Sequence, residues 1–317
     1  MRDRDIPVPA SISAAAQAFF ETAQPVQHRP VTPGAIAAIR EATRAGAIPN
    51  AEAMRDAHAE AVADTEIGGV AVQVVVPKGY DAANDGRALL YFHGGGHVVG
   101  SPFEDLSITA PLAHRLGIKV YAVQYRLAPE HPFPAALDDA TAVYMELLDR
   151  LGPSGFAVAG ESAGGNLALA VVLRARDAGL ALPAAAALMS PWSDLTKTGD
   201  SEYVLAGLDP TLDYDLFIAD PARAYADGRD LKDPLISPVY ADYGPGFPPS
   251  LITTGTRDLF MSDCARLSTA LRQAGVDAHL HLWEGLWHVF EWYPDLPEAA
   301  QSLDEVAAFL QRHWDVA

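Results

Sequence analysis

The sequence predicts an α/β fold: a mostly parallel central sheet with helices on both faces and a helical cap. Three observations lead there. Short apolar runs alternate with amphipathic stretches along most of the chain, as in βαβ units whose strands are buried on both sides. The 317 residues are 50% hydrophobic, enough for a large core and unlike a disordered chain. One segment, Trp192 to about Gly246, breaks the alternation with Asp, Tyr, Pro and Gly in place of β-branched runs. A structureless loop of that length is unusual in a compact domain, so it reads as a mainly helical insertion.

Taken in order, Ser11 to about Ala63 is rich in Ala, Glu and Arg and reads as helix broken at Pro25, Pro30 and Pro33. Val70 to Val76, closed by Pro77, has the β-branched density of a strand. Further strands are expected at Ala88–Phe92, Val120–Tyr125, Phe156–Ala159, Ala184–Met189, Leu251–Thr254 and Ala278–Trp283. Helices are expected at Pro134–Leu148, at about Ser162–Asp177 and at Ser262–Gln273. The sequence holds no internal repeat and no low-complexity tract.

Charge narrows the function. The formal net charge is −19, with 22 Lys and Arg against 41 Asp and Glu. A nucleic-acid partner is therefore not expected, because phosphate binding needs a basic face, and anionic substrates or lipids would be repelled. A neutral small molecule fits better, although surplus acid also simply keeps a protein dissolved. The single cysteine, Cys264, cannot form an internal disulfide and reads as a buried small hydrophobe, consistent with a cytoplasmic location. After Met1-Arg2-Asp3-Arg4-Asp5 no apolar run of signal-peptide length follows, and no stretch reaches membrane-spanning length.

The strongest chemical signal is Gly160-Glu161-Ser162-Ala163-Gly164, a G-x-S-x-G sequence placed directly after a strand and before a helix. The turn is tight enough to demand glycine at both ends, and it lifts the serine hydroxyl clear of the backbone. Ser162 is thus the candidate nucleophile. The second signal is His93-Gly94-Gly95-Gly96 after the Ala88–Phe92 strand. Consecutive glycines let backbone N–H groups turn toward one point, as a developing oxyanion requires. A dinucleotide fingerprint needs another glycine spacing, and a His93/His97 metal pair would not be held on one face of such a loop.

A serine nucleophile needs a base, and the base an orienting acid. His288 lies in a loop just past the Ala278–Trp283 strand, where sites in open α/β sheets gather. His279 and His281 sit within the strand, and His313 is the competitor near the C-terminus. Asp258 emerges from the end of the preceding strand and is preferred over Asp263, which reads as a helix N-terminal charge. Glu161 is expected to point away from the turn and to pack or pair. Asp209, Asp213, Asp215 and Asp220 lack calcium-loop spacing and read as solvated cap surface.

Three blocks in the same order carry a resemblance over about Val70 to the C-terminus. They are His93-Gly94-Gly95-Gly96 with Gly100-Ser101, Tyr125-Arg126-Leu127-Ala128-Pro129-Glu130 with His131-Pro132-Phe133-Pro134-Ala135-Ala136, and Gly160 to Asn166. The chain resembles the bacterial hormone-sensitive-lipase-type carboxylesterases, which implies the α/β-hydrolase fold and a Ser162-His288-Asp258 triad. It also implies an oxyanion hole from the N–H groups of Gly95, Gly96 and Ala163, no metal or organic cofactor, short- to medium-chain acyl esters as substrates, and a homodimer. The implied division is a cap segment at 1–63, a catalytic body at 64–191 and 247–317, and a cap insertion at 192–246. Two departures, Glu161 for the commoner aspartate and Asp258-Leu259-Phe260-Met261-Ser262-Asp263 for Asp-Pro-Leu-Arg-Asp, resemble the branch with monoterpene lactone hydrolases and acetyl esterases. A lactone is therefore the alternative substrate. A non-catalytic small-molecule receptor on the same fold is the remoter one, and such receptors typically lack the triad histidine.

Overall fold

A computed structural model describes residues 6–28 and 30–314, so the Met1-to-Asp5 opening lies outside the described residues. Its strands are β1 (Ala59–Ile67), β2 (Val70–Pro77), β3 (Ala88–Phe92), β4 (Lys119–Val123), β5 (Phe156–Glu161), β6 (Ala186–Met189), β7 (Ser250–Gly255) and β8 (Ala278–Trp283). They form one sheet in the order β1-β2-β4-β3-β5-β6-β7-β8. The pairs β1/β2 and β2/β4 are antiparallel and all the others are parallel. The helices are α1 (Ala14–Thr22), α2 (Ile36–His58), α3 (Leu106–Leu116), α4 (Ala135–Leu151), α5 (Ala163–Asp177), α6 (Ser201–Val204), α7 (Ala219–Ala226), α8 (Met261–Gln273) and α9 (Pro297–Trp314).

The period-two side-chain alternation of a strand feeds two cores. In β3, Ala88, Leu90 and Phe92 belong to the core that also takes in α4, α5 and α8, whereas Leu89 and Tyr91 belong to the one that takes in α3 and α9. All five are fully or almost fully buried, which explains why this strand reads as a continuous apolar run. Among the described residues no helix is long and apolar enough to cross a membrane.

The structure differs from the sequence expectations in three places. The helical reading of Ser11 to Ala63 overruns: α2 ends at His58, and Ala59 opens β1. This strand is rich in Ala and Glu, which favour helix, and pairing with β2 overrides that propensity. The hairpin turn is Gly68-Gly69, both at positive φ, and a Cβ on Gly68 would lie 2.7 Å from the Ala142 carbonyl oxygen. Second, α3 was not anticipated. Nearly every residue of it is buried, so it carries no amphipathic stripe, and Pro111 lies inside it. Third, the insertion is less helical than expected. It consists of α6, a π-turn at Tyr214–Ile218, α7 and a 3₁₀ turn at Pro238–Tyr240, joined by longer irregular stretches.

Candidate active site

Ser162 stands between β5 and α5 with φ 52° and ψ −119°, a conformation that non-glycine residues rarely adopt. Close packing beneath it enforces the turn. A Cβ on Gly164 would sit 2.0 Å from the Phe92 carbonyl oxygen, and one on Gly160 would sit 2.4 Å from the Gly164 oxygen. Both glycines are therefore dictated by backbone running against backbone. The Ser162 N–H donates to the Met189 carbonyl, which ties the turn to β6.

The glycine loop follows β3. Gly95 and Gly96 have φ of 97° and 62°, and the Gly95 carbonyl accepts from the N–H groups of Val98 and Val99. A Cβ on Gly95 would lie 2.3 Å from the Val99 oxygen. Behind the loop, Tyr125 Oη donates to the His93 carbonyl at 2.6 Å and its ring stacks on the imidazole. His97 is buried and stacks on the Tyr225 ring, with centroids 3.8 Å apart. Gly95 and Gly96 line the same cavity as Ser162, and Ala163 opens α5 directly after it.

The structure brings Ser162, His288 and Asp258 together. His288 Nε2 is 3.0 Å from Ser162 Oγ, and its Nδ1 is 3.1 Å from Asp258 Oδ1. Asp258 is fully buried and accepts from the Phe260 N–H and the Thr254 hydroxyl, both at 2.8 Å. Burial alone would raise its pKa, but the charge and hydrogen bond of His288, with Ser190 and the Phe260 N–H, outweigh that and hold it below the ordinary value. Burial pulls His288 down, and the charges of Asp258, Asp209 and Glu291 outweigh it, leaving the imidazole above its usual pKa. Asp263 and His313 take no part in this line of hydrogen bonds. Asp263 is buried in the first turn of α8, and His313 lies near Asp277. His279 and His281 pair with Asp277 and Glu305 on β8.

The reading of Asp209 as solvated surface is overturned. It is buried, and its Oδ2 accepts from the N–H of His288 at 3.1 Å and of Leu259 at 3.3 Å. Its other oxygen accepts from Thr211 and Leu212, closing a turn of the insertion. One carboxylate thus joins the insertion to the loops that carry the histidine and the acid. Burial and the nearby Asp258 charge raise its pKa to about 6. An Asx turn at Asp209-Pro210-Thr211 was foreseeable from residue types, but the partners of its second oxygen were not.

Glu161 borders the same cavity as Ser162, and its carboxyl lies against the backbone of Gly94. That cavity holds about 210 Å³ and is walled by Gly95, Gly96, Leu212, Phe217, Ile218 and Tyr293 among others. Three acidic residues, Glu104, Asp105 and Glu161, also border it.

Comparison with known proteins places this geometry. A family profile described as alpha/beta hydrolase fold matches residues 89–292. An acetyl-hydrolase of Streptomyces hygroscopicus is 40% identical over 232 residues, covering 73% of this chain and 77% of that protein. An esterase of Acinetobacter venetianus is 34% identical over 225 residues, 70% of this chain and 74% of its own. The crystal structure of esterase E25 superposes with a TM-score of 0.91 at 33% identity, covering 99% of this chain and 98% of that one. An esterase from the bacterial hormone-sensitive lipase family superposes with a TM-score of 0.77 at 36% identity, over 80% and 84% of the two chains.

Proposed function

The chain belongs to the alpha/beta hydrolase family, in its hormone-sensitive-lipase-type branch, and is a carboxylester hydrolase; from that premise we propose that it cleaves neutral, short-chain acyl esters by acyl transfer through Ser162. The observation that carries this reading is the continuous hydrogen-bond line from Asp258 through His288 to Ser162, at 3.1 and 3.0 Å, ending in the glycine-rimmed cavity. His288 Nε2 takes the hydroxyl proton as Ser162 Oγ bonds to the carbonyl carbon, and the carbonyl electron pair moves onto oxygen. The N–H groups of Gly95, Gly96 and Ala163 receive that oxyanion. Collapse expels the alcohol, which takes the proton from His288. Water then attacks the acyl-enzyme with His288 again as base and releases the acid. Asp258 holds the imidazole in the tautomer that leaves Nε2 free, and its charge stabilises the imidazolium.

The size of the cavity supports a short acyl group, since about 210 Å³ is below the ~300 to 1,000 Å³ of pockets for drug-sized ligands. The acidic residues on its wall support a neutral substrate. The reading treats the N-terminal helices to His58 and the 192–246 insertion as a cap over the catalytic body, because Asp209 of the insertion is bonded to the His288 loop. It extends to a homodimer through the edge strand β8, checked by light scattering. The test of substrate is a p-nitrophenyl ester series from acetate to palmitate, with a monoterpene ε-lactone beside it. Turnover falling steeply as the acyl chain lengthens supports the proposal. Preference for palmitate overturns the chain-length assignment, and turnover of the lactone alone replaces the ester with a ring.

A further inference from the structure

Two buried carboxyl groups of the cavity wall have no part in the acyl transfer described above. Glu161 precedes the nucleophile at the end of β5, and Asp105 immediately precedes α3; each is almost completely buried. Both border the same cavity, and the charge state of each responds to the other and to the backbone of Gly94. Gly94 is the first glycine of the loop whose next two residues are the proposed oxyanion donors. The fit is close: a Cβ on Gly94 would lie 1.9 Å from Glu161 Oε1, so the carboxyl lies directly against the glycine backbone. Asp105 accepts in turn from the Tyr91 hydroxyl at 2.9 Å.

Among the described residues, none of the leading influences on this pair is a Lys or Arg, and the imidazole that lines the same cavity is that of His288. The titratable groups that face it are Tyr91 from β3, Glu104 beside Asp105, Tyr125 after β4 and Glu291 from the 3₁₀ turn at Phe290–Trp292. All are neutral or acidic. Two adjacent buried carboxyls without a counter-ion are not ionised together, because desolvation and mutual repulsion both oppose the second charge. Burial and then the neighbouring charge push the Glu161 carboxyl well up, and burial followed by Glu104 raises Asp105.

We propose that Glu161 and Asp105 share one proton and act as a positioning pair for the oxyanion loop, clamping Gly94 so that the N–H groups of Gly95 and Gly96 face the ester carbonyl. The proton matters as much as the clamp. With it, the pair carries one negative charge and a hydrogen bond between its carboxyls. Without it, two negative charges repel each other beside the place where an oxyanion must form. Loss of the shared proton at alkaline pH therefore lowers kcat, whereas KM, set mainly by the apolar wall, responds little.

The proposal rests on the oxyanion assignment above, and the test separates the two. Hydrolysis of p-nitrophenyl acetate is followed from neutral to alkaline pH for wild type, Glu161→Gln, Asp105→Asn and Glu161→Ala, with thermal unfolding as the check on folding. In wild type, kcat declines on the alkaline side. Glu161→Gln and Asp105→Asn cannot take the second charge, so each loses that decline relative to its own neutral value. Glu161→Ala releases Gly94 and lowers kcat about a hundredfold, the scale of an ångström-sized misplacement, with KM little changed. Infrared difference spectra of wild type against either amide variant show the band of a protonated carboxyl at neutral pH. The same alkaline decline in all forms, wild-type kcat in Glu161→Ala, or no carboxylic-acid band overturns the pair. A folded wild type without ester turnover overturns the oxyanion assignment instead.

Discussion

Ser162 is placed by contacts within and directly beneath one pentapeptide, whereas His288 is placed by groups 30 and 79 residues away in the chain. On the Ser162 side, hard-sphere contact decides: Gly160 and Gly164 have no space for a side chain, and β3 runs against the turn. On the His288 side, hydrogen bonds decide: Asp258 holds the ring, and Asp209 holds the backbone of the same residue and of Leu259. A steric constraint tolerates no substitution but needs no partner. A hydrogen-bonded one tolerates graded change, and its charges also set the imidazole's pKa.

That contrast can be broken or sharpened by substitution. The largest effect is expected from Ser162→Ala, which should lower kcat about a million-fold while leaving the thermal midpoint close to wild type. Residual turnover near the wild-type level would transfer the chemistry to another residue. Asp258→Asn should cost about ten-thousand-fold in kcat, because an amide favours the wrong imidazole tautomer; a loss below tenfold would remove Asp258 from the triad. Gly164→Ala tests the steric side. Its Cβ would meet the Phe92 oxygen at 2.0 Å, so destabilisation of about 3 kcal/mol in chemical denaturation is expected. Unchanged stability would mean that the turn relaxes more easily than its contacts imply.

Asp209→Asn should have the smallest effect and the most informative one. An amide oxygen still accepts from the backbone, so kcat should fall only about tenfold, near the net value of one hydrogen bond. In the proposed acyl transfer His288 must be neutral to take the serine proton, so activity is expected to rise as pH climbs through its pKa. Asp209 is one of the charges holding that pKa up. Removing it should therefore move the acid limb of kcat/KM to lower pH. An unmoved limb would leave Asp209 with a purely structural part.

The elbow and the glycine loop were legible because their requirements are local: a strand, a turn too tight for side chains, and a helix. His288 and Asp258 were legible from position, each just past the end of a strand on a sheet whose sites gather there. Other features were not. The strand β1 has helix-favouring composition, and only its pairing with β2 makes it a strand, although Gly68-Gly69 between Ile67 and Val70 marks the hairpin. The helix α3 is buried on nearly every side, so it lacks the periodicity by which a surface helix is recognised. Asp209 looked like one of several surface acids in a polar segment, since nothing in its neighbours tells which of them is buried.

Read by itself, the chain specified the turn that raises Ser162 and the glycine loop beside it, because part of the excluded volume there acts between near neighbours, Gly160 against Gly164 and Gly95 against Val99. It also marked the strand ends from which His288 and Asp258 come. Only the folded structure decided that Asp209 of the insertion bonds the His288 loop, and that Glu161 and Asp105 meet at Gly94. Those contacts join separate loops across the top of the sheet. Residue type shows that a carboxylate can accept hydrogen bonds, but burial and the choice of donor arise only when distant segments pack together.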